Sequence, residues 1–323
     1  MDNKEFDVVA LGELLVDFTQ NGLSEQGNTL FEANPGGAPA NVLAMLRKLG
    51  KSCAFIGKVG KDSFGDMLAR TVADAGIDTR ALMRDPVIPT TLAVVHTFPN
   101  GDRDFSFYRK PGADIMLRIE ELDEDMLRSC RIFHFGTLSL TDEPCKSATK
   151  RAYDLAKASG ALISFDPNLR PPLWPDEKSA KAAIEWGLAR CDILKISDNE
   201  IEFMTGEKDF DKGAAILQAR YPQIRLLNVT AGADGSFSYY GKKHVFVPAC
   251  KLGGVIETTG AGDTFCASVL NFVLERGLDG LSEDDLTAML RFANTAAYIV
   301  TTKKGAIRSM PARAQVEELL NRV

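Results

Sequence analysis

Residues 257–277 read ETTGAGDTFCASVLNFVLERG. Gly260 and Gly262 flank a single alanine, Ala261, and Asp263 follows at once. The apolar residues beyond it recur at helical spacing until Gly277 supplies a stop. A Gly-rich turn that feeds a helix leaves the first N–H groups without intrahelical acceptors, at the positive end of the helix dipole. Such a turn favours an anion. Asp263 is then either a helix cap or a base held beside that anion. The second reading suits phosphoryl transfer from a nucleotide to an alcohol, because backbone donors hold developing charge while the carboxylate takes the hydroxyl proton. A Gly-x-Gly turn is common, so the remainder of the chain has to decide.

Strands and amphipathic helices alternate through that remainder. Phe6–Leu11 is a β-rich run ending at Gly12, and CAFIGKVG (53–60) is another. Further strands are predicted at 131–136, 161–168, 192–197 and 224–232, and helices at 40–50, 64–76, 147–160, 182–190, 263–277 and 285–302. The pattern predicts an α/β fold with a mostly parallel sheet covered on both faces. One region departs from it. TTLAVVHTF (90–98), PNGD and RDFSFYR (103–109) read as a β-hairpin turned at Asn-Gly, and 16–37 lacks helical periodicity. A single domain over 1–323 is expected, with segments 16–35 and 90–112 forming a small β lid over the strand ends, where such folds bind ligands.

The chain has 323 residues, 45% hydrophobic and 25% charged, with a formal net charge of −6. That balance suits an ordinary globular protein and argues against broad nucleic-acid binding. No apolar run is long enough for a membrane span, and the start lacks the basic region of a signal peptide, so a cytoplasmic location is expected. Six scattered cysteines form no C-x-x-C, and the three histidines are never paired at i, i+4. Neither a zinc site nor a dithiol motif is indicated. P-loop and protein-kinase signatures are absent too.

Three other stretches carry site chemistry. PGGAPAN (35–41) precedes a helix; Gly36 and Gly37 permit close backbone approach, and Asn41 offers an amide that donates and accepts. Asp17 follows the apolar LGELLV run, where a carboxylate can bind two hydroxyls of a polyol. In FDPNLRPPLW (165–174), Asp166, Asn168 and Arg170 occupy alternate positions, which sends them to one side of an extended segment. Each stretch also reads as a plain turn or rigid loop. Lys195, at a strand end, is either solvated or close to nucleotide phosphates.

Taken together, PGGAPANVLAMLRKLG, FIGKVGKDSFG, FYRKPGAD, FDPNLRPPLWP, KISDNEIEFMTG, ETTGAGDTF and FANTAAYIVTTKKGAI resemble the ribokinase-like carbohydrate kinases, the PfkB family, over nearly the whole chain. Within it, GGAPAN, FYRKPGAD and DPNLRPPLWP look most like the fructokinase branch. The resemblance implies a three-layer fold with a small β-sheet lid, and phosphorylation of fructose by ATP with Mg²⁺. It makes Asp263 the general base and Gly260, Ala261 and Gly262 the anion hole. Asp17, Gly36, Gly37 and Asn41 become sugar-binding positions, with Arg109 and Arg170 at the sugar or phosphate end. Thr230, Gly232 and Gly235 match the nucleotide loop and Asn294 a residue beside the base. Glu200 matches a glutamate linked to Mg²⁺ through water, in a motif whose usual asparagine is Ser197 here. Glu257 stands where the family usually has Asp near a monovalent-cation site, which would take K⁺. Pairing of two copies through the lid is also implied. A 2-keto-3-deoxygluconate kinase remains open, with both arginines on the acid's carboxylate, as does a non-catalytic sugar sensor.

Overall fold

A strand buried on both faces has to be apolar along its whole length. Cys53–Gly60 meets that demand, since all eight of its residues are buried. The computed structural model describes residues 4–97 and 103–322. In chain order the strands are β1 (Phe6–Leu11), β2 (Leu15–Leu23), β3 (Thr29–Gly36), β4 (Cys53–Gly60), β5 (Leu82–Asp85), β6 (Leu92–Thr97), β7 (Arg103–Tyr108), β8 (Cys130–Phe135), β9 (Leu162–Phe165), β10 (Ile193–Ser197), β11 (Leu226–Thr230), β12 (Gly235–Tyr240) and β13 (Lys243–Pro248).

Nine of them form one sheet in the order β13-β12-β11-β10-β9-β8-β1-β4-β5. Neighbours from β11 through β5 pair in parallel, and β12 and β13 add an antiparallel edge. Side chains alternate between the two faces. Cys53 and Phe55 of β4 enter a core shared with helices Ala38–Lys48, Ala261–Arg276 and Glu283–Thr301. Ala54 and Ile56 enter a second core with helices Cys145–Ala158 and Glu177–Leu188. The result is the predicted three-layer α/β arrangement.

The two irregular segments form a separate four-stranded sheet, ordered β3-β2-β6-β7. Strands β2 and β3 are antiparallel, β2 and β6 parallel, and β6 and β7 antiparallel. The expected Asn-Gly turn of the hairpin lies outside the described residues. This sheet leaves Leu23 and Tyr108 each 64% exposed, with Leu30 and Phe31 also uncovered. No helix among the described residues is long and apolar enough to cross a membrane.

The periodicity reading overlooked several elements, among them β5, β12, β13 and the helices Asp198–Thr205, Phe210–Arg220 and Arg313–Leu320. GSFSYY alternates serine with aromatic residues on a strand paired on both sides, so it lacks a continuous apolar run. The helix Asp198–Thr205 is defined by its ends: Ser197 and Glu200 form a capping box, and Gly206 closes it in the left-handed region at φ 77°. His134 is buried against Ser164 at 2.9 Å, in keeping with a structural role.

Gly187 shows how tightly the layers fit. A Cβ there would lie 2.4 Å from the ring of Phe165, the residue just before Asp166. Alanine normally gains about 0.5–1 kcal/mol over glycine inside a helix. Gly187→Ala is expected instead to destabilise the protein by about 1–3 kcal/mol through overpacking, measured by urea denaturation. A stabilised variant would show that the Phe165 ring yields freely.

Candidate active site

A cavity of about 350 Å³ opens where the small sheet faces the Gly260–Asp263 turn. Its lining includes Asp17, Gly37, Asn41, Asn168, Arg170, Lys195, Glu257, Gly260, Gly262 and Asp263. Residues from every part of the chain thus meet in one space of small-molecule size.

The helix Ala261–Arg276 begins on Gly260, whose φ of 79° lies in the left-handed region. A side chain at Gly260 would also collide with Ala306 at 2.9 Å. Asp263 does not cap this helix. Its Oδ2 accepts from Asn41 Nδ2 at 2.8 Å, while Asn41 Oδ1 is buried without a partner among the described residues. Burial raises the Asp263 carboxyl above its ordinary range, although Asn41, Lys195 and Arg170 pull it back. A raised carboxyl is a stronger proton acceptor. The Ala261 N–H turns back to Thr258 O at 3.2 Å, so free donors of the turn come after it.

Lys195 is not solvated; it is 8% exposed and its ammonium lies 3.1 Å from Asp166. Its tip lies close against Gly262, where a Cβ would sit 3.2 Å from Lys195 Nζ. Burial opposes the charge on Lys195, but Asp166, Glu200 and Asp263 outweigh it and hold the ammonium protonated. Burial likewise pushes Asp166 upward against the pull of Lys195. Glu200 accepts from Leu169 N at 2.7 Å and Ser197 N at 2.8 Å, so its carboxylate fastens the loop after β9 to the helix after β10.

The alternation argument for residues 166–170 does not hold. β9 ends at Phe165, and Asn168 adopts φ 45°, which breaks the extended path. Asp166 therefore turns inward to Lys195, while Asn168 and Arg170 face the cavity. Arg109 is also placed differently from expectation. Its guanidinium is buried on Asp114 at 2.7 Å, Leu138 O at 2.8 Å and Thr141 Oγ1 at 3.0 Å. It fixes the end of β7 to the main body and leaves Arg170 as the arginine on the cavity wall.

Asp17 is lifted to about 7 by burial, against Arg170 and with help from Glu257 and Asp263. Gly36 backs it; a Cβ there would meet Asp17 Oδ2 at 2.6 Å. Glu257 accepts from Gly305 N at 3.3 Å. Glu13 escaped the sequence reading. Its carboxylate accepts from Ala38 N at 2.8 Å, in the first turn of its helix, and its main-chain oxygen would be 2.3 Å from a Cβ on Gly37. The Gly12-Glu13 step between β1 and β2 was the available signal.

The remaining expected residues lie apart from this cavity. Thr230 ends β11 beside Ser197 of β10. Gly232 and Gly235 take φ values of 50° and 134° in the turn that follows. Asn294 bonds Ser236 Oγ at 2.8 Å and Val247 O at 3.0 Å, and lines a second cavity of about 470 Å³ with Pro248 and Arg291. Among the described residues, no cluster of three His, Cys, Asp or Glu side chains can hold a metal by itself.

Burial raises Glu13 from 4.5 to about 7. Between those values the folded protein binds more protons than the unfolded chain, so this group lowers stability as pH rises. Glu13→Gln keeps an acceptor for Ala38 and is expected to gain about 3 kcal/mol over wild type between pH 4.5 and 8, by denaturation at both pH values. An equal difference at both would remove Glu13 as the cause.

A family model for "pfkB family carbohydrate kinase" matches residues 5–313. The chain is 42% identical over 321 residues to probable fructokinase-2 of Arabidopsis thaliana, covering 99% of this chain and 97% of that one. It superposes on the crystal structure of fructokinase with bound ATP from Xylella fastidiosa with a TM-score of 0.88, at 30% identity and 98% coverage of both chains. A fructokinase from Vibrio cholerae O395, in its fructose-, ADP- and calcium-bound form, gives a TM-score of 0.85 at 30% identity, covering 98% of this chain and 99% of that one. With the model and the relatives spanning nearly its full length, the chain belongs to the pfkB family of carbohydrate kinases.

Proposed function

We propose that this protein is an ATP-dependent fructokinase, converting D-fructose and ATP to D-fructose 6-phosphate and ADP. The observation that carries it is the buried Asp263 carboxylate, fixed by Asn41 beside a helix N-terminus at a polar cavity. Asp17 and Asn168 face the same space and bind sugar hydroxyls there. Asn41 occupies one oxygen of Asp263 and leaves the other for the primary hydroxyl. Asp263 takes that proton as the oxygen attacks the γ-phosphorus in line, and the N–H groups at the turn receive the charge on the phosphoryl oxygens. Lys195, beneath Gly262, adds positive charge to the same place.

Mg²⁺ would supply positive charge at the ATP phosphates and could be held largely through water, which needs no protein cage. Glu200 and Asp166 would meet those waters. Thr230, Gly232, Gly235 and Asn294 serve the nucleotide end, and Glu257 the monovalent-cation site. The small sheet closes on the sugar and excludes water.

The charge balance favours a neutral sugar over a sugar acid. Glu13, Asp17, Glu257 and Asp263 line the cavity, against Arg170 and a Lys195 already paired with Asp166. Arg109, the second arginine that an acid's carboxylate would need, is committed elsewhere. ADP release should therefore be highest in kcat/KM with fructose when compared with glucose, ribose and 2-keto-3-deoxygluconate, with and without Mg²⁺ and K⁺. Preference for the keto-acid would overturn the fructose assignment, and no Mg²⁺-dependent turnover would favour a sugar sensor. Asp263→Ala is expected to lower kcat by about 10²–10⁴ with little change in sugar binding. In the wild type, kcat/KM should fall as pH drops through an apparent pKa above 3.8, because the base has to be unprotonated. A rate unchanged in the variant would displace Asp263 as the base.

Two copies pair through the small sheet, covering Leu23, Leu30, Phe31 and Tyr108. Sedimentation should give a dimer that Phe31→Glu shifts to monomer; a monomeric wild type would refute the pairing.

A further inference from the structure

The chain contains two tryptophans, and both line one cavity away from the catalytic pocket. Trp174 and Trp186 form its walls with Pro175, and Lys146 and Lys150 stand at its edge, four residues apart on the helix Cys145–Ala158. Its volume is about 370 Å³, within the small-molecule range. Lys150 Nζ lies 5.8 Å from the centre of the Trp186 ring. Trp174 carries a buried indole N–H that has no acceptor among the described residues.

The electrostatics are unusual for a chain of net charge −6. No carboxylate is among the lining residues. Neither lysine forms an ion pair among the described residues, whereas Lys157, on the same helix, pairs with Asp192 at 2.9 Å. Two uncompensated ammonium groups one helical turn apart match a phosphate. Indole faces match the C–H face of a sugar ring. The cavity shares no lining residue with the catalytic pocket, but the two are tied through neighbouring residues. Trp174 follows Arg170 by four residues, and Thr141 accepts from Arg109 while Leu138 lines the catalytic cavity.

We propose that this cavity is a second small-molecule site that takes a phosphorylated sugar. It goes beyond the kinase reading and does not depend on which sugar is phosphorylated. The site reports on itself, because its walls hold every tryptophan of the protein. Titrating the full chain with glucose 6-phosphate should give a saturable change in tryptophan fluorescence. The response should survive Asp17→Asn, which alters the catalytic pocket. In the double variant Lys146→Ala/Lys150→Ala the apparent Kd should rise at least about tenfold, with basal kinase activity retained as evidence of folding. Inorganic phosphate and free glucose should each bind more weakly. The proposal is overturned by no response at millimolar ligand, or by an unchanged Kd in the lysine variant. A response lost with Asp17→Asn, or equal affinity for inorganic phosphate, would overturn it as well.

Discussion

The ion pair between Lys195 and Asp166 holds the site together. It joins the end of β9 to β10 within the parallel sheet, and both partners are almost fully buried. Burying two charges costs free energy that their mutual attraction only partly returns. Here the ammonium also answers Glu200 and Asp263, so one cation balances three carboxylates around the catalytic turn. Lys195 also lies close beside Gly262, 3.2 Å from where a Cβ would stand. The conformation after β9 follows from the same pair, since Asp166 turns inward and Asn168 bends the chain back toward the cavity.

A carboxylate that must accept a proton near neutral pH needs a raised pKa, and burial supplies it. Asp263, Asp17 and Glu13 are all shifted upward by desolvation. They are kept apart in role by their partners. Asp263 is oriented by Asn41, Glu13 is tied to the first turn of a helix, and Asp17 remains directed at the cavity. One side of the cavity is built from the small sheet, through Asp17, Thr19, Asn34 and Phe107.

Arg109 shows the limit of reasoning by resemblance. Its position in FYRKPGAD suggested a ligand contact, yet all three of its side-chain nitrogens are used to pin β7 to Asp114, Leu138 and Thr141.

The sequence by itself determined the layered α/β fold, because doubly buried strands and amphipathic helices have different periods that composition cannot disguise. It also determined the Gly260–Asp263 turn and the existence of an extra sheet from two irregular segments, whose signals are local. Tertiary structure alone decided which polar groups face one another. Asn41 and Asp263 are 222 residues apart and touch only because two helices pack on the same face. Glu13 looked like any loop acid, and Arg109 like a ligand contact. Spacing along a chain fixes which face a residue takes on a regular element, but it carries no information once the backbone leaves that element, as at Asn168, or when the partner comes from another part of the fold.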